Sequence, residues 1–278
     1  MSGPFQLVVT SGVADITIDH PPCNVFDGVF TTGLADVVDR CEAEPGVRVM
    51  LFHSADPDFF CMHGDVRGIL AMRVAPGTTT TAPNAAAALL QRIHRSRLVS
   101  IAAIDGAARG GGAELVSACD LRVGGPRTVL AQPEAAMGIL PGAGGTSRLP
   151  HLLGRSRALD VILTCREIGA DEALSVGWLD RLVPSGRVLA EARAISSRIA
   201  SMPGEVLAAV KDVVGTSLAE AGLDQALVVE TAALMRLVAG GGHRSRMERF
   251  LAAGGQARAA ERDGFEALVL AILEEEAT

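Results

Sequence analysis

The chain has 278 residues, 49% of them hydrophobic and 21% charged, with a formal net charge of −7. That apolar mass is enough for one large core with a smaller appendage. The acidic balance argues against a general nucleic-acid binder, and the absence of tyrosine, with aromatics at 3%, argues against a base-stacking platform.

The opening "MSGPFQLVVT" lacks a basic n-region, so no signal peptide is expected. No uninterrupted apolar run reaches about 18 residues, so no membrane span is expected either. The five cysteines (Cys23, Cys41, Cys61, Cys119 and Cys165) form no C-x-x-C pair. They read as reduced thiols in a cytoplasmic protein. The six histidines are scattered without an H-E-x-x-H, and no metal site is expected.

"FQLVVTSGVADITID" predicts two short strands joined at Ser11-Gly12. "HPPCNVFD" breaks the chain at Pro21 and Pro22. Helical spacing runs from Phe26 to Ala43 and stops at Glu44-Pro45-Gly46. "VRVMLFHSA" and "IAAIDGA" read as buried strands. The alternation of strands and helices predicts an α/β arrangement. "RVAPGTTTTA", Arg73 to Ala82, reads as a loop: a plain surface connection, or a flap over a ligand site. After Val183 the patterns are helical only, as in "RVLAEARAISSRIASMP" and "GEVLAAVKDVVGTSLAEAG". The expected division is a core over 1–195 and a helical region over 196–278. No internal repeat stands out.

The most informative stretch is "ARGGGAELVSACD", Ala108 to Asp120. Read as the end of a strand–turn–helix unit, it puts Gly110, Gly111 and Gly112 at a helix N-terminus. Amides there lack intrahelical partners, and the missing side chains let a ligand oxygen reach them. Glu114 lies one turn further on, and Glu134 follows Pro133 ahead of the glycine-rich 142–145 segment. Paired carboxyls in an apolar site can divide acid and base roles. Each feature also has a plainer reading. Either glutamate could complement a helix dipole, and the glycines could serve tight helix–strand packing. A third segment, "DPDFFCMHGDVRGIL", places Gly64 at a turn that could supply a second amide donor.

Together "PCNVFD", "FFCMHGDVR", "IDGAARGGGAELVSACDLRV" and "AQPEAAMGILPGAGGTSRLPHLLG" resemble the enoyl-CoA hydratase/isomerase (crotonase) superfamily, over roughly residues 5 to 215. The resemblance implies an α/β fold, a ClpP/crotonase-like spiral of ββα repeats, with a helical C-terminal region that packs homotrimers, often paired into hexamers. It implies an acyl-CoA thioester as the ligand and no separate cofactor, metal, nucleic acid or membrane. The thioester oxygen would sit between the amides of Gly64 and Gly111, with Glu114 and Glu134 as the acid/base pair. Substrate-contacting positions would include Cys23, Val25, Met62, Asp65, Val66, Arg67, Gly110, Pro133 and Gly142. Arg67 reads equally as a phosphate contact and as a solvated charge.

The chemistry agrees with the resemblance. Addition to a 2-enoyl thioester develops negative charge on the carbonyl oxygen, which two preorganised amides stabilise most in the transition state. One carboxyl must take a proton from water (Glu114) and one must serve the α-carbon (Glu134). The sequence also departs from the family. Met62 and His63 are bulky where the oxyanion turn is usually small. They either point away or narrow the acyl pocket and shift the Gly64 donor, and His63 could be a new base.

Rival readings are an isomerase, which would not need Glu114, and a non-catalytic member of the superfamily. A dinucleotide or phosphate loop is disfavoured, because "GGGAEL" is not G-x-G-x-x-G and no G-K-[ST] follows.

Overall fold

The computed structural model describes residues 3–65, 68–69, 83–137, 139–217 and 252. The expected loop at 73–82, the site positions Val66 and Arg67, and most of the expected C-terminal helical region lie outside the described residues.

The chain begins with the anticipated hairpin. Strands β1 (Phe5–Thr10) and β2 (Val13–Ile18) pair antiparallel, Thr10 opposite Val13, around Ser11 and Gly12, which both adopt positive φ. Helix α1 (Gly28–Ala43) buries Phe30, Leu34, Val37, Val38 and Cys41 on one face. It starts at Gly28 rather than Phe26, because the Asp27 side chain caps it by accepting from Phe30 N at 2.7 Å. Phe26 is instead held in a bridge with Gly64.

From there a two-strand, one-helix unit recurs. Strands β3 (Val49–Ser54) and β4 (Phe59–Cys61) precede helix α2 (Ala85–Arg95). Strands β5 (Val99–Ile104) and β6 (Ala107–Arg109) precede α3 (Gly111–Ala118). Strands β7 (Leu121–Gly124) and β8 (Val129–Ala131) precede a 3-10 turn at Glu134–Met137, then α4 (Gly145–Leu153) and α5 (Arg155–Thr164). Strand β9 (Ile168–Gly169), α6 (Ala170–Val176), β10 (Arg181–Leu182), α7 (Val188–Ala200) and α8 (Gly204–Ser217) complete the described elements.

Each unit gives its first strand to one sheet and its second to another. The larger sheet has the order β1-β2-β3-β5-β7-β10, parallel from β2 onward. The smaller has the order β4-β6-β8-β9, with β4, β6 and β8 parallel. The fold is therefore an α/β spiral of ββα units. Five residues of β3 and all six of β5 are buried, as expected for parallel strands covered on both faces. The short second strands, β4, β6 and β8, interrupt what the sequence suggests are direct strand-to-helix turns.

The chain divides into two compact units, residues 1–197 and 198–278. Within the second, α8 is the main described element. Among the described residues no helix is long and apolar enough to cross a membrane, and all five cysteines are free thiols.

Helix α3 is buried along its whole length. It is anchored by a buried polar chain: the Trp178 indole donates to Ser117 Oγ at 3.0 Å, and Ser117 Oγ donates to Ala113 O at 2.7 Å. Ser117→Ala strands the indole N–H. The expected cost is about 1–3 kcal/mol, read as a lower urea midpoint; an unchanged midpoint would show that the chain contributes nothing.

Candidate active site

Two segments far apart in sequence are tied together at the start of α3. The turn at residues 62–64 is fixed from two sides. Gly112 N donates to Met62 O at 3.0 Å, and Phe26 N donates to His63 O at 3.1 Å. Asn24 steadies the same turn. Its carbonyl accepts from Met62 N at 3.0 Å, and its buried amide donates to Ser54 Oγ, Phe59 O and Phe60 O. Asn24 adopts φ 53°, a left-handed conformation that asparagine tolerates better than most residues.

Each glycine of the 110–112 run answers a different constraint. Gly110 has φ 50°, and a Cβ there would meet Glu134 Oε1 at 2.5 Å and His63 Cβ at 2.8 Å. A Cβ on Gly111 would press on Phe26 at 3.0 Å, and one on Gly112 would overlap the Cys61 carbonyl. The packing and site readings are thus both right, at different residues. Gly110 N donates to Ala131 O at 2.9 Å, and Gly110 O accepts from Glu114 N at 2.8 Å. Among the described residues neither Gly64 N nor Gly111 N has a backbone acceptor. The Phe26–Gly64 bridge engages the His63 carbonyl, and Gly111 occupies the first helical position, where no intrahelical acceptor exists.

The two glutamates are both buried: Glu114 is 3% exposed and Glu134 6%. Glu114 lies in the first turn of α3, and its Oε1 accepts from Ala143 N and Gly145 N, each at 2.7 Å. Burial pushes its carboxyl above the usual range; those two amides and the Arg148 guanidinium pull the other way. Arg148 itself is held by Ala143 O at 3.1 Å and Gln91 Oε1 at 2.6 Å. Glu134 opens the 3-10 turn, and its Oε2 is buried without a partner among the described residues. Burial raises its carboxyl to about 7, against the bond from its own amide, and the neighbouring Glu114 charge adds to the rise. One carboxyl is therefore clamped by amides, and the other is held near neutrality.

The remaining anticipated positions fall around this centre unevenly. Met62 is half-buried, its sulfur accepting from Arg109 Nη1 at 3.5 Å. His63 is half-buried, its Nδ1 within 2.9 Å of Gly64 O, so its ring folds back on its own turn. Cys23 and Val25 are half-buried beside Asn24, and Asp65 is half-buried with its carbonyl accepting from Ile69 N at 2.9 Å. Pro133 is half-buried ahead of Glu134. Gly142 is exposed, its carbonyl accepting from Asn84 Nδ2 at 2.8 Å.

Sequence reading did not single out Asn24, Arg148, or the Ala143 and Gly145 amides. The available signal was an asparagine after a Pro-Pro-Cys break. Among the described residues no cluster of three or more His, Cys, Asp or Glu side chains could hold a metal ion.

Comparison with known proteins agrees with this fold. The family described as Enoyl-CoA hydratase/isomerase matches residues 9–252. The fold is similar to that of an enoyl-CoA hydratase from Bacillus anthracis, with 26% identity, TM-score 0.80, and coverage of 90% of this chain and 95% of that one. It is similar to an enoyl-CoA hydratase from Geobacillus kaustophilus, with 28% identity, TM-score 0.79, and coverage of 85% and 89%. It is also similar to DspI from Pseudomonas aeruginosa, with 27% identity, TM-score 0.78, and coverage of 85% and 96%.

The raised Glu134 carboxyl has a consequence for stability. The folded chain keeps a proton that the unfolded chain releases from about its ordinary value, 4.5, so between there and about 7 stability falls as pH rises. Glu134→Gln removes this slope, which is worth at most about 3 kcal/mol. Urea unfolding at pH 5 and pH 8 should show the variant gaining on the native chain at the higher pH. Equal differences at both pH values would mean that Glu134 titrates normally.

Proposed function

The chain belongs to the enoyl-CoA hydratase/isomerase family, and from that premise we propose that it adds water to a trans-2-enoyl thioester of coenzyme A, giving a 3-hydroxyacyl thioester. The observation that carries the reading is the pairing of two buried, differently held carboxyls beside two amides that lack backbone acceptors. The Gly64 and Gly111 amides receive the thioester oxygen. Water attacks C3, the π electrons move through C2 to that oxygen, and the enolate is held by two donors. Glu114 takes the proton from water. Glu134, near neutrality at about 7, is protonated in a large fraction of molecules at physiological pH and gives its proton to C2. Atoms balance as one water added, and proton exchange between the carboxyls and solvent resets the site. The reaction needs no cofactor beyond the coenzyme A that the substrate carries.

The clamped Glu114 favours hydration over double-bond migration. Migration needs one group to move a proton between carbons, whereas hydration also needs a base for water. The C-terminal region, expected from its sequence to be helical, is proposed to assemble trimers or dimers of trimers, and a monomer by light scattering would count against that.

Glu134→Gln should lower hydration of crotonyl-CoA by about 10²–10⁴ while leaving ester binding largely intact. Chromatographic separation of 2-enoyl, 3-enoyl and 3-hydroxy esters reads hydration and double-bond migration together. Double-bond migration without hydration in the native chain would assign the isomerase reaction instead.

A further inference from the structure

At the turn that carries the Gly64 amide, His63 Nδ1 lies 2.9 Å from Gly64 O. A carbonyl only accepts, so Nδ1 carries a proton and donates it. This bond closes a small ring. The ring runs from Nδ1 along the side chain to the His63 Cα, across the 63–64 peptide, and through the Gly64 Cα to the Gly64 carbonyl. The Gly64 nitrogen is a member of it. The bond therefore restrains the two torsions that tilt the Gly64 N–H, namely ψ of His63 and φ of Gly64. The other end of the same peptide is held as well, because His63 O accepts from Phe26 N at 3.1 Å.

Gly64 needs such a restraint. A glycine has no Cβ and samples more backbone conformations than any other residue. Packing does little to confine this one: among the described residues a Cβ on Gly64 would meet only Ile69 Cδ1, at 3.6 Å, an ordinary contact. The Gly111 amide is in a different position, because it belongs to the first residue of α3 and the helix fixes it. Room for the His63 side chain comes from Gly110. That residue has φ 50°, and a Cβ there would meet His63 Cβ at 2.8 Å and His63 Cα at 3.1 Å. The missing side chain at 110 leaves the space in which the side chain at 63 departs from its backbone. A small residue at 63 could not make the bond to Gly64 O.

We propose that His63 is a positioning residue for the oxyanion site: its Nδ1–H clips the Gly64 carbonyl and holds the Gly64 N–H at the angle that receives the thioester oxygen. This rests on the part of the reading above in which that oxygen lies between the Gly64 and Gly111 amides. It holds for hydration and for double-bond migration alike, since both pass through the enolate. In this role the imidazole moves no proton to or from the substrate.

The test compares three substitutions. His63→Asn keeps an N–H donor where Nδ1 stands, His63→Gln moves the donor out to where Nε2 stands, and His63→Ala removes it. In His63→Ala and His63→Gln, hydration kcat should fall about 10- to 100-fold, the scale of a misplaced group and no more than the loss of a whole oxyanion donor. KM should stay within about threefold, and His63→Asn should keep kcat within about threefold of the native chain. Exchange of the α-protons of butyryl-CoA in D2O should fall by the same factor as hydration, because it uses the same enolate. Infrared difference spectra of bound butyryl-CoA, labelled with 13C at the thioester carbonyl, read the donors directly. Binding should lower the carbonyl stretch in the native chain and in His63→Asn, and lower it less in His63→Ala and His63→Gln. Native kcat in His63→Ala or His63→Gln overturns the proposal. So does an equal loss in His63→Asn and His63→Ala, which would make the imidazole itself the working group, as a base would be. So does failure of His63→Ala and His63→Gln to fold, which would make the bond structural. A native chain that leaves the carbonyl stretch unmoved removes the oxyanion reading and this inference together. A native shift that His63→Ala preserves in full removes this inference alone.

Discussion

The contact between Gly112 and the 61–62 backbone is the constraint on which the site depends. Gly112 N donates to Met62 O at 3.0 Å, and a Cβ at Gly112 would occupy the Cys61 carbonyl. Only a residue without a side chain lets α3 come this close to the end of β4. That approach sets the Gly111 amide, one residue before the bond, beside the turn that carries the Gly64 amide. The Asn24 bonds and the Phe26 bridge fix that turn from its other side. A helix start and a distant turn are thereby locked into one rigid corner before any ligand arrives.

The carboxyls divide their roles through surroundings rather than through chemistry. Both are glutamates, and both are pushed up first by burial. Two amides and Arg148 oppose the push at Glu114. At Glu134 the neighbouring carboxyl reinforces it. Two backbone donors and a guanidinium on one side, against a single bond from its own amide on the other, separate two identical groups into an anchored carboxyl and a readily protonated one.

The sequence made some of this legible. The hairpin at Ser11-Gly12 and the long buried strands β3 and β5 follow from turn chemistry and apolar runs. Gly110 to Gly112, Glu114 and Glu134 were legible because glycine runs and carboxyls are rare in apolar segments. The smaller sheet was not legible: β4, β6 and β8 have three residues each, too few for a period to register. The recurring ββα unit was implied by the family resemblance but invisible as a repeat of residues, since its copies share geometry and pairing, not residue identity. Asn24 could not be ranked above other buried polar residues, because its role depends on partners far away in the chain. Met62 and His63 illustrate the opposite limit. Their bulk was plain, but only coordinates reveal that one rests on Arg109 and the other folds onto the Gly64 carbonyl.

The clamp on Glu114 is made of main-chain amides at 143 and 145. A main-chain amide survives almost any codon change, and proline alone abolishes it. Point mutation at position 143 can therefore alter bulk without erasing the donor, which makes that half of the site robust to genetic drift. Diversification within this architecture is channelled instead toward side-chain groups, such as the residues at 62, 63 and 148, whose replacement changes the chemistry in a single step.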